Sequence, residues 1–329
     1  MITYDKLYRN PSAFRSLTGL DRVLFERLYA QVEQALQQQR QTEKTRRTQQ
    51  PRQRNRGAGR KYANDLRSRL VMTLFWLRVY PSYAVMAFFF SVDQSTICRN
   101  IAEVFAVLVT LTEFEFERPS EERPKRTSPE AVMEAFPEIA LVLDGKEQRI
   151  RRPKTKKDAE GNTLDTQKPY YSGKKKCHTL KSEIAVTPSG RIGSVSASYP
   201  GGENHDLTVT RKNGLLEKLD PDRDAVMTDS GYEGLDKDYP DHTLIQVAKA
   251  HRNHPLTPEQ KELNGVIGRY RIVVEHTYAQ MNQFQILSQV YRHVREKHGA
   301  VVRVVGDLVN RRIAERPLKT YEAQLSLAI

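Results

Sequence analysis

The stretch "VMTDSGYEG", Val226 to Gly234, is informative because a short apolar run ends on a carboxylate that is followed at once by Ser-Gly. An apolar run of this length predicts a buried β-strand, and Ser230-Gly231 predicts its end. Asp229 would then lie at the carboxyl end of the strand, where ligands bind in open α/β sheets. The alternative is a turn-forming aspartate that hydrogen-bonds to its own backbone. The sequence on either side has to decide between these interpretations.

The bulk composition favours a nucleic-acid partner. The chain has 329 residues, enough for two or three domains, and a formal net charge of +13. This excess of Lys and Arg predicts a polyanionic partner, most simply nucleic acid, with an anionic membrane surface as the other option. The sequence contains neither the run of about 18 apolar residues of a membrane-spanning helix nor a signal peptide's apolar core. Because only Cys98 and Cys177 occur, far apart, we expect a reducing, cytoplasmic environment.

A basic segment separates two regions that are predicted to be helical. Residues 1–39 predict two short helices, and residues 40–61 hold nine basic residues against one acidic residue and no hydrophobic anchor. Such a composition predicts a segment that does not order itself. Two roles remain open for it, a solvated linker or an arm that lies on phosphates or enters a minor groove. The arginines of that arm would be Arg52, Arg54, Arg56 and Arg60.

Residues 62–117 predict a helix-turn-helix domain. Three apolar helical stretches follow one another, with Pro81 ending the first, Ser82 capping the second and Asp93 capping the third. A helix, a short turn and a helix that opens with polar residues form the pattern of DNA-binding helix-turn-helix motifs. An ordinary three-helix bundle with a polar outer face is the alternative. The side chains that could read base edges are Gln94, Ser95, Thr96, Arg99 and Asn100.

Residues 118–134 are rich in proline and charge and predict a linker to a catalytic domain at 135–318, followed by a tail at 319–329. The pattern in this domain predicts an α/β fold in which three antiparallel strands precede a helix and two further strands. Thr257 and Gln260 predict a capping box at the start of the next helix, which Gly265 and Gly268 are expected to interrupt. The strands are expected at 138–145, 176–188, 191–202, 224–231 and 243–249, and the helices at 204–219, 257–284 and 299–315.

Three carboxylates occupy positions that would suit a metal site. Asp144 and Asp229 each end an apolar run, and Glu275 lies at the edge of a later helix's apolar stripe. Mg²⁺ prefers oxygen ligands and is commonly held by few carboxylates together with substrate phosphates. Two such ions, about 3.5–4 Å apart, would act on a phosphodiester, with Asp144 bridging both and Asp229 and Glu275 each binding one. The alternatives are a turn-forming Asp144 and a solvated Glu275 paired with Arg271.

Five sequence blocks together resemble a known family: "LVLDGKEQRI", "YYSGKKKCHTLK", "SYPGGENHD", "VMTDSGYEG" and "RYRIVVEHTYAQ". Their order and spacing over 138–290 are similar to those of the DDE transposases of bacterial insertion sequences, in the five-type branch related to harbinger-type transposases. The resemblance implies an RNase H-like catalytic domain, with a mixed central sheet flanked by helices. It also implies that Asp144, Asp229 and Glu275 form the acidic triad with two Mg²⁺ ions, for which Mn²⁺ substitutes, and that Arg271 contacts phosphate.

The sequence departs from that family at two positions. The family often has a tyrosine where this chain has Gly268 and a lysine where it has Asn282. We therefore expect a Lys or Arg elsewhere in the chain to make the contact with the DNA end that this lysine would make.

Two further motifs allow more than one role. Lys174, Lys175 and Lys176 are interpreted as phosphate-binding residues beside the site, with a charged strand start as the alternative. For His205-Asp206, a chemical role stands against helix capping by Asn204 together with a favourable charge near the helix dipole.

The predicted function is that of a DNA transposase of a bacterial cytoplasm, associated with the nucleoid. It would bind the terminal inverted repeats of an insertion sequence, hydrolyse phosphodiesters at the ends with Mg²⁺, and join the 3′-hydroxyl to target DNA. Its partners would be double-stranded DNA and at least one further copy of the chain, with no membrane. The alternatives are a DNA-binding regulator that has lost activity and a non-mobile, structure-specific nuclease of the same fold.

Overall fold

The computed structural model describes residues 1–47, 64–114, 141–161, 163–187, 189–222, 224–250 and 255–315. The chain divides into two compact units. The first comprises Met1–Thr112 with Gln283–Ile286, and the second comprises Glu113–Asn282 with Leu287–Ile329. Within the described ranges, no helix is both long enough and apolar enough to cross a membrane.

In the part of the first unit that the structure describes, every regular element is a helix. Three helices form where two were expected at the N-terminus, and the third of them runs past residue 39 into the segment expected to be a linker. The reason is local, because residues 40–47 contain helix-forming Arg, Gln, Glu and Lys and no Gly or Pro. The helices are α1 Tyr4–Tyr8, α2 Pro11–Thr18, α3 Arg22–Arg47, α4 Leu66–Val79, α5 Tyr83–Phe90 and α6 Gln94–Leu111.

The turns between α4, α5 and α6 follow from their capping residues. The Ser82 hydroxyl accepts a hydrogen bond from the Val85 backbone N–H, as its position in the sequence predicts. Asp93 occupies the N-cap position of α6, although its side chain makes no capping hydrogen bond. Ser91 closes α5 in the left-handed conformation, at φ 55°, where glycine is more usual.

The second unit contains a mixed β-sheet with helices, which confirms the predicted α/β class. Its strands are β1 Leu141–Arg149, β2 Lys156–Lys157, β3 Thr163–Leu164, β4 Tyr171–Ser172, β5 Cys177–Val186, β6 Ile192–Val195, β7 Tyr199–Pro200, β8 Val226–Thr228 and β9 Leu244–Gln246. The main sheet has the order β4-β5-β1-β8-β9, and β6 and β7 also pair with β5. As expected, β1, β5 and β6 pair antiparallel, whereas β8 and β9 continue the sheet parallel to β1.

The helices of this unit are α7 Asp206–Asn213, α8 Leu235–Asp238, α9 Pro258–Asn282, α10 Gln285–Ser288, which begins within the first unit, and α11 His298–Ala314. Thr257 and Gln260 form the predicted capping box, with reciprocal hydrogen bonds of 3.0 and 3.2 Å. The expected interruption of α9 is wrong, because the helix is continuous through Gly265 and Gly268. Each glycine costs about 1 kcal/mol relative to alanine, which a long, packed helix tolerates.

Strand β1 is longer than the sequence predicted. The apolar run ends at Asp144, but residues 145–149 continue the antiparallel ladder with β5. Asp144 therefore lies within a strand and not at its end, because the neighbouring strand extends beyond the apolar run.

A buried histidine links β1 to α11. His298 is 1% exposed, and its ring nitrogens lie 2.6 Å from Ser198 Oγ and 2.8 Å from Gln148 Oε1. Burial, with a smaller contribution from the charge of Lys146, lowers the pKa of His298 to about 3. The imidazole is therefore neutral in the folded protein throughout the physiological pH range.

Acidification should destabilise the fold through His298. Because the unfolded histidine titrates near pH 6.5, the unfolded state binds more protons than the folded state between that pH and about pH 3. Lowering the pH from about 7 to about 5 should therefore remove about 2 kcal/mol of unfolding free energy. Urea denaturation of the wild type and of His298→Gln at both pH values measures this difference. An equal pH dependence in the two proteins would contradict the assignment.

Candidate active site

Asp144 and Asp229 are neighbours across two parallel strands. In the β1–β8 ladder Leu143 is paired with Thr228 as the last pair, and the next residue in the chain after each of them is an aspartate. Adjacent strands lie about 4.8 Å apart, and residues in register point to the same face of the sheet. Both aspartates are half-buried. The structure therefore brings together two of the three carboxylates predicted from the sequence.

Asp229 also has the turn-forming contact that the sequence left open. Strand β8 ends at Thr228, and Asp229 Oδ1 accepts a hydrogen bond from the Gly231 N–H at 2.7 Å. This bond starts a 3₁₀ turn over Ser230–Tyr232. The local contact fixes the orientation of the carboxylate at the sheet edge, so the turn role and a site role are compatible.

Glu275 lies on the helix that is tied to β1. The Tyr278 hydroxyl donates to the Asp144 carbonyl oxygen at 2.9 Å, and Asn282 Oδ1 accepts from Lys146 Nζ at 2.6 Å. Glu275 shares this side of α9, because residues three, four and seven apart lie on one helix face. Its side chain is exposed. Across the described residues, no three His, Cys, Asp or Glu side chains are arranged to hold a metal ion, so the triad does not converge in this conformation.

A fourth carboxylate, Asp206, lies beside the two aspartates. It is the first residue of α7, and its Oδ1 would be 1.9 Å from a Cβ atom placed on Gly145. A Cβ atom on Gly231 would lie 2.9 Å from both Asp206 Oδ2 and Asp229 Oδ1. The glycines that follow Asp144 and Asp229 therefore leave the space that this carboxylate occupies.

Lys181 balances the charge of Asp206. Its ammonium is buried between Asp206 Oδ1, at 3.2 Å, and Glu147 Oε1, at 3.4 Å. Of the two alternatives for His205-Asp206, capping by Asn204 is not found: the Asn204 side chain donates to the Pro200 carbonyl oxygen, and His205 takes the N-cap position. The sequence left the role of Asp206 undecided. The signal that could have placed it here is the glycine that shortly follows each of the other two aspartates, in "LDG" and "DSG", because these glycines leave room for a third carboxylate.

The acidic character of this region extends to Glu183. This residue is 1% exposed and is hydrogen-bonded by the Thr210 hydroxyl and, at 3.0 Å, by Asn213 Nδ2. Burial raises the pKa of Glu183, against the lowering effect of these hydrogen bonds and with a further increase from the charge of Asp206. Carboxyl groups are therefore concentrated on the α7 side of the sheet, and the raised pKa of Glu183 favours its neutral form.

Lys146 is the cation closest in sequence to Asp144, and the sequence reasoning did not single it out. Its Nζ lies 5.5 Å from the centre of the Tyr278 ring, next to the bond with Asn282. Burial lowers the pKa of Lys146 to about 8; the charge of Asp144 raises it and that of Lys175 lowers it. Both the carboxylate of Asp144 and the ammonium of Lys175 therefore influence the protonation of Lys146.

The three predicted phosphate-binding lysines form an exposed hairpin loop. Strands β4 and β5 pair Ser172 with Cys177, and Lys174, Lys175 and Lys176 lie in the loop between them. The charge of Lys175 is among the causes that lower the pKa of Lys146, so this loop lies near Lys146. The hairpin is therefore available to a polyanion near Asp144.

The predicted base-reading residues of α6 have different environments. Gln94, Ser95 and Arg99 are exposed, and Thr96 is half-buried with its hydroxyl 3.4 Å from Arg99 Nη2. Asn100 is 4% exposed and donates to a methionine sulfur of α4, so its assignment as a base-reading residue is wrong. Its position one helical turn after Thr96 directs it into the core between α4 and α6.

Arg52, Arg54, Arg56 and Arg60 lie outside the described residues, as does the side chain of Arg271.

Comparison with known proteins gives the family. Residues 143–310, just over half of the chain, match the model of the DDE superfamily endonucleases. The chain belongs to this family. The span of the match includes Asp144, Asp229 and Glu275, and the expected resemblance to DDE transposases of insertion sequences is confirmed.

Individual relatives are transposases. The chain is 26% identical over 260 residues to a probable transposase for insertion sequence element IS702 of Microchaete diplosiphon, covering 78% of this chain and 84% of the relative. A pre-cleavage Mos1 transpososome is 10% identical, with a TM-score of 0.22 over 84% of this chain and 82% of its own. A Mos1 mariner paired end complex with Mn is 12% identical, with a TM-score of 0.17 over 86% and 85%.

Adding a methyl group at Gly145 should disturb the site through Asp206. Gly145→Ala places a Cβ atom where Asp206 Oδ1 lies, and overpacking of this kind costs about 1–3 kcal/mol. In the double variant Gly145→Ala/Asp206→Ala the clash is gone, so the two effects should be non-additive. Urea unfolding of both single variants and the double variant measures the coupling. Additive losses would show that Asp206 does not occupy this space.

Proposed function

We propose that this family member is a DNA transposase that binds the ends of an insertion sequence, cleaves them and joins the 3′-hydroxyl to target DNA. The observation that carries the proposal is that Asp144 and Asp229 directly follow the last paired residues of β1 and β8, Leu143 and Thr228, with the helix of Glu275 tied to Asp144 through Tyr278. This arrangement supports an RNase H-like catalytic domain whose acidic triad lies at one edge of the mixed sheet. The proposal includes the domain limits of the sequence analysis, with the N-terminal helical segment extended from residue 39 to Arg47.

The carboxylates fit a hard divalent cation. Asp144 and Asp229 offer only oxygen ligands on adjacent strands, and Mg²⁺ is commonly held by one or two carboxylates together with substrate phosphates. Glu275, exposed on a long side chain, would complete the set. Two Mg²⁺ ions, or Mn²⁺ in their place, supply Lewis-acid activation of a phosphodiester when bound.

The protein's own residues position the reacting groups. Tyr278 fixes α9 against the strand of Asp144, and the hydrogen bond to Gly231 orients the carboxylate of Asp229. Lysines 174–176 bind the phosphates of the strand to be cut. Holding the phosphodiester against the acidic edge in a reactive geometry is the main contribution of the fold, and no covalent enzyme intermediate is required.

The first unit is proposed to bind the terminal repeats. Helices α5 and α6, joined by a short turn, would act as a helix-turn-helix motif that presents Gln94, Ser95, Thr96 and Arg99 to a major groove. The basic arm with Arg52, Arg54, Arg56 and Arg60, and Arg271 in the second unit, would contact the DNA backbone. Because two ends must be joined, at least two protomers would act together on double-stranded DNA.

Two alternatives differ in their outcome with DNA. A regulator that has lost activity would bind the same ends without cutting them, and the retained aspartate pair argues against it. A non-mobile nuclease would cut without preferring terminal-repeat ends over random duplex. Mg²⁺-dependent nicking of a plasmid that carries the gene with its flanking DNA separates the three functions.

Removing the charge of any triad residue should abolish cleavage. Asp144→Asn, Asp229→Asn and Glu275→Gln keep the side-chain shape but lose the anionic ligand, so nicking should fall at least about 100-fold. Binding of the flanking DNA, measured by mobility shift, should remain near wild type. Matched controls are Asp236→Asn in α8 and Glu262→Gln in α9, both exposed and expected to cut normally. Cleavage retained by any triad variant would overturn that residue's assignment.

DNA binding should depend steeply on salt. With about six phosphate contacts, log K against log salt should have a slope of magnitude roughly 5 or more. Replacing Lys174, Lys175 and Lys176 together by methionine should reduce that magnitude by about two to three, because each lysine releases about one counterion. Fluorescence anisotropy over a salt series measures the slope. A nearly flat response in the wild type, or an unchanged slope in the variant, would argue against these contacts.

A further inference from the structure

The last turn of α9 contains no basic residue. Asn282 lies there, seven residues after Glu275, where the resemblance described above implies a lysine. The structure nevertheless has an ammonium at this point, because Lys146 Nζ lies 2.6 Å from Asn282 Oδ1. The positive charge comes from strand β1, which is distant in sequence from the helix.

The geometry connects this ammonium to the acidic edge. Lys146 follows Asp144 by two residues in β1, so both side chains point to the same face of the sheet. The ring of Tyr278 lies beneath the ammonium, and its hydroxyl is bonded to the Asp144 carbonyl. Lys146 is therefore held beside Asp144 and against the helix face that carries Glu275.

We propose that Lys146 is a phosphate-binding residue of the site, supplying from β1 the contact that a lysine at position 282 would make, and that Asn282 holds its ammonium in place. The inference rests on the proposed function and specifies how that site grips the DNA strand. Its ligand is a backbone phosphate close to the bond that is cut.

The surrounding charges support an anion at this point. Among the described residues, Lys146 Nζ has a single hydrogen-bond partner, Asn282 Oδ1, and lysine suits a phosphate contact as a compact charge with three donors. The exposed hairpin loop between β4 and β5 carries three further lysines, at positions 174–176, for neighbouring phosphates of the same strand.

A purely structural role is the competing explanation. A cation near the last turn of a helix stabilises the helix dipole, and Lys146 contacts the final residue of α9. This role predicts a less stable protein whose DNA contacts are unchanged. The two explanations therefore differ in the salt dependence of binding and in the effect of moving the charge to position 282.

The test compares Lys146→Met with the exchanged variant Lys146→Gln/Asn282→Lys. With the plasmid that carries the gene and its flanking DNA, Lys146→Met should lose roughly 10- to 100-fold in cleavage rate, as expected for a lost hydrogen bond to a charged group. Its salt slope for DNA binding should fall by about one. The exchanged variant should recover most of both losses, because the ammonium returns from the helix side. Lys237→Met, an exposed lysine of α8, is the control for loss of a surface charge.

The outcomes separate this inference from the proposed function. If Lys146→Met cleaves at the wild-type rate, or if its salt slope is unchanged and the exchanged variant cuts no better, Lys146 does not bind phosphate. A wild-type protein that never nicks the plasmid defeats the proposed function itself, and the inference with it. Thermal unfolding of each variant identifies any loss that follows from instability, which is the result expected of a helix-end contact alone.

Discussion

The pairing of β1 with β8 is the constraint on which the site depends. The register that sets Leu143 opposite Thr228 buries both side chains, and the residue after each is an aspartate, Asp144 within β1 and Asp229 just after β8. Residues 141–143 of β1 and all three residues of β8 are buried on both faces of the sheet, so the apolar runs hold the two strands in the interior up to the two aspartates. The hydrophobic pattern of the two strands thus fixes the position of the two acidic groups relative to each other.

Carboxylates that lie side by side repel one another, and a neighbouring buried lysine reduces this repulsion. Asp206 adds a third negative charge against the backbone of Gly145 and Gly231, and buried Lys181 offsets part of it. Like charges at this distance raise one another's free energy unless cations compensate. Under the proposed function, a divalent cation bound by Asp144 and Asp229 would offset the remaining negative charge of this cluster.

The sequence predicted those features whose causes are local. The strand end at Asp229 followed from an apolar run and a Ser-Gly turn, and the capping box of α9 followed from Thr257 and Gln260. Features set by tertiary partners were missed. Strand β1 passes Asp144 because β5 continues beside it, and Asn100 turns inward because α4 packs against its helix. Neither partner can be read from the residues themselves.

The contact between Lys146 and Asn282 shows the same limit in a functional setting. The two residues are 136 positions apart, so the sequence led only to the expectation of another Lys or Arg, and Lys146 is proposed for that role from its contact with Asn282. In the proposed site, an ammonium is needed next to the end of α9, and a lysine on either α9 or the packed strand β1 could supply it. A family motif that lists residues along one helix will therefore miss a replacement that a neighbouring strand supplies. Whether the function of a missing motif residue is lost is best judged from the charged side chains that surround its position in the folded protein.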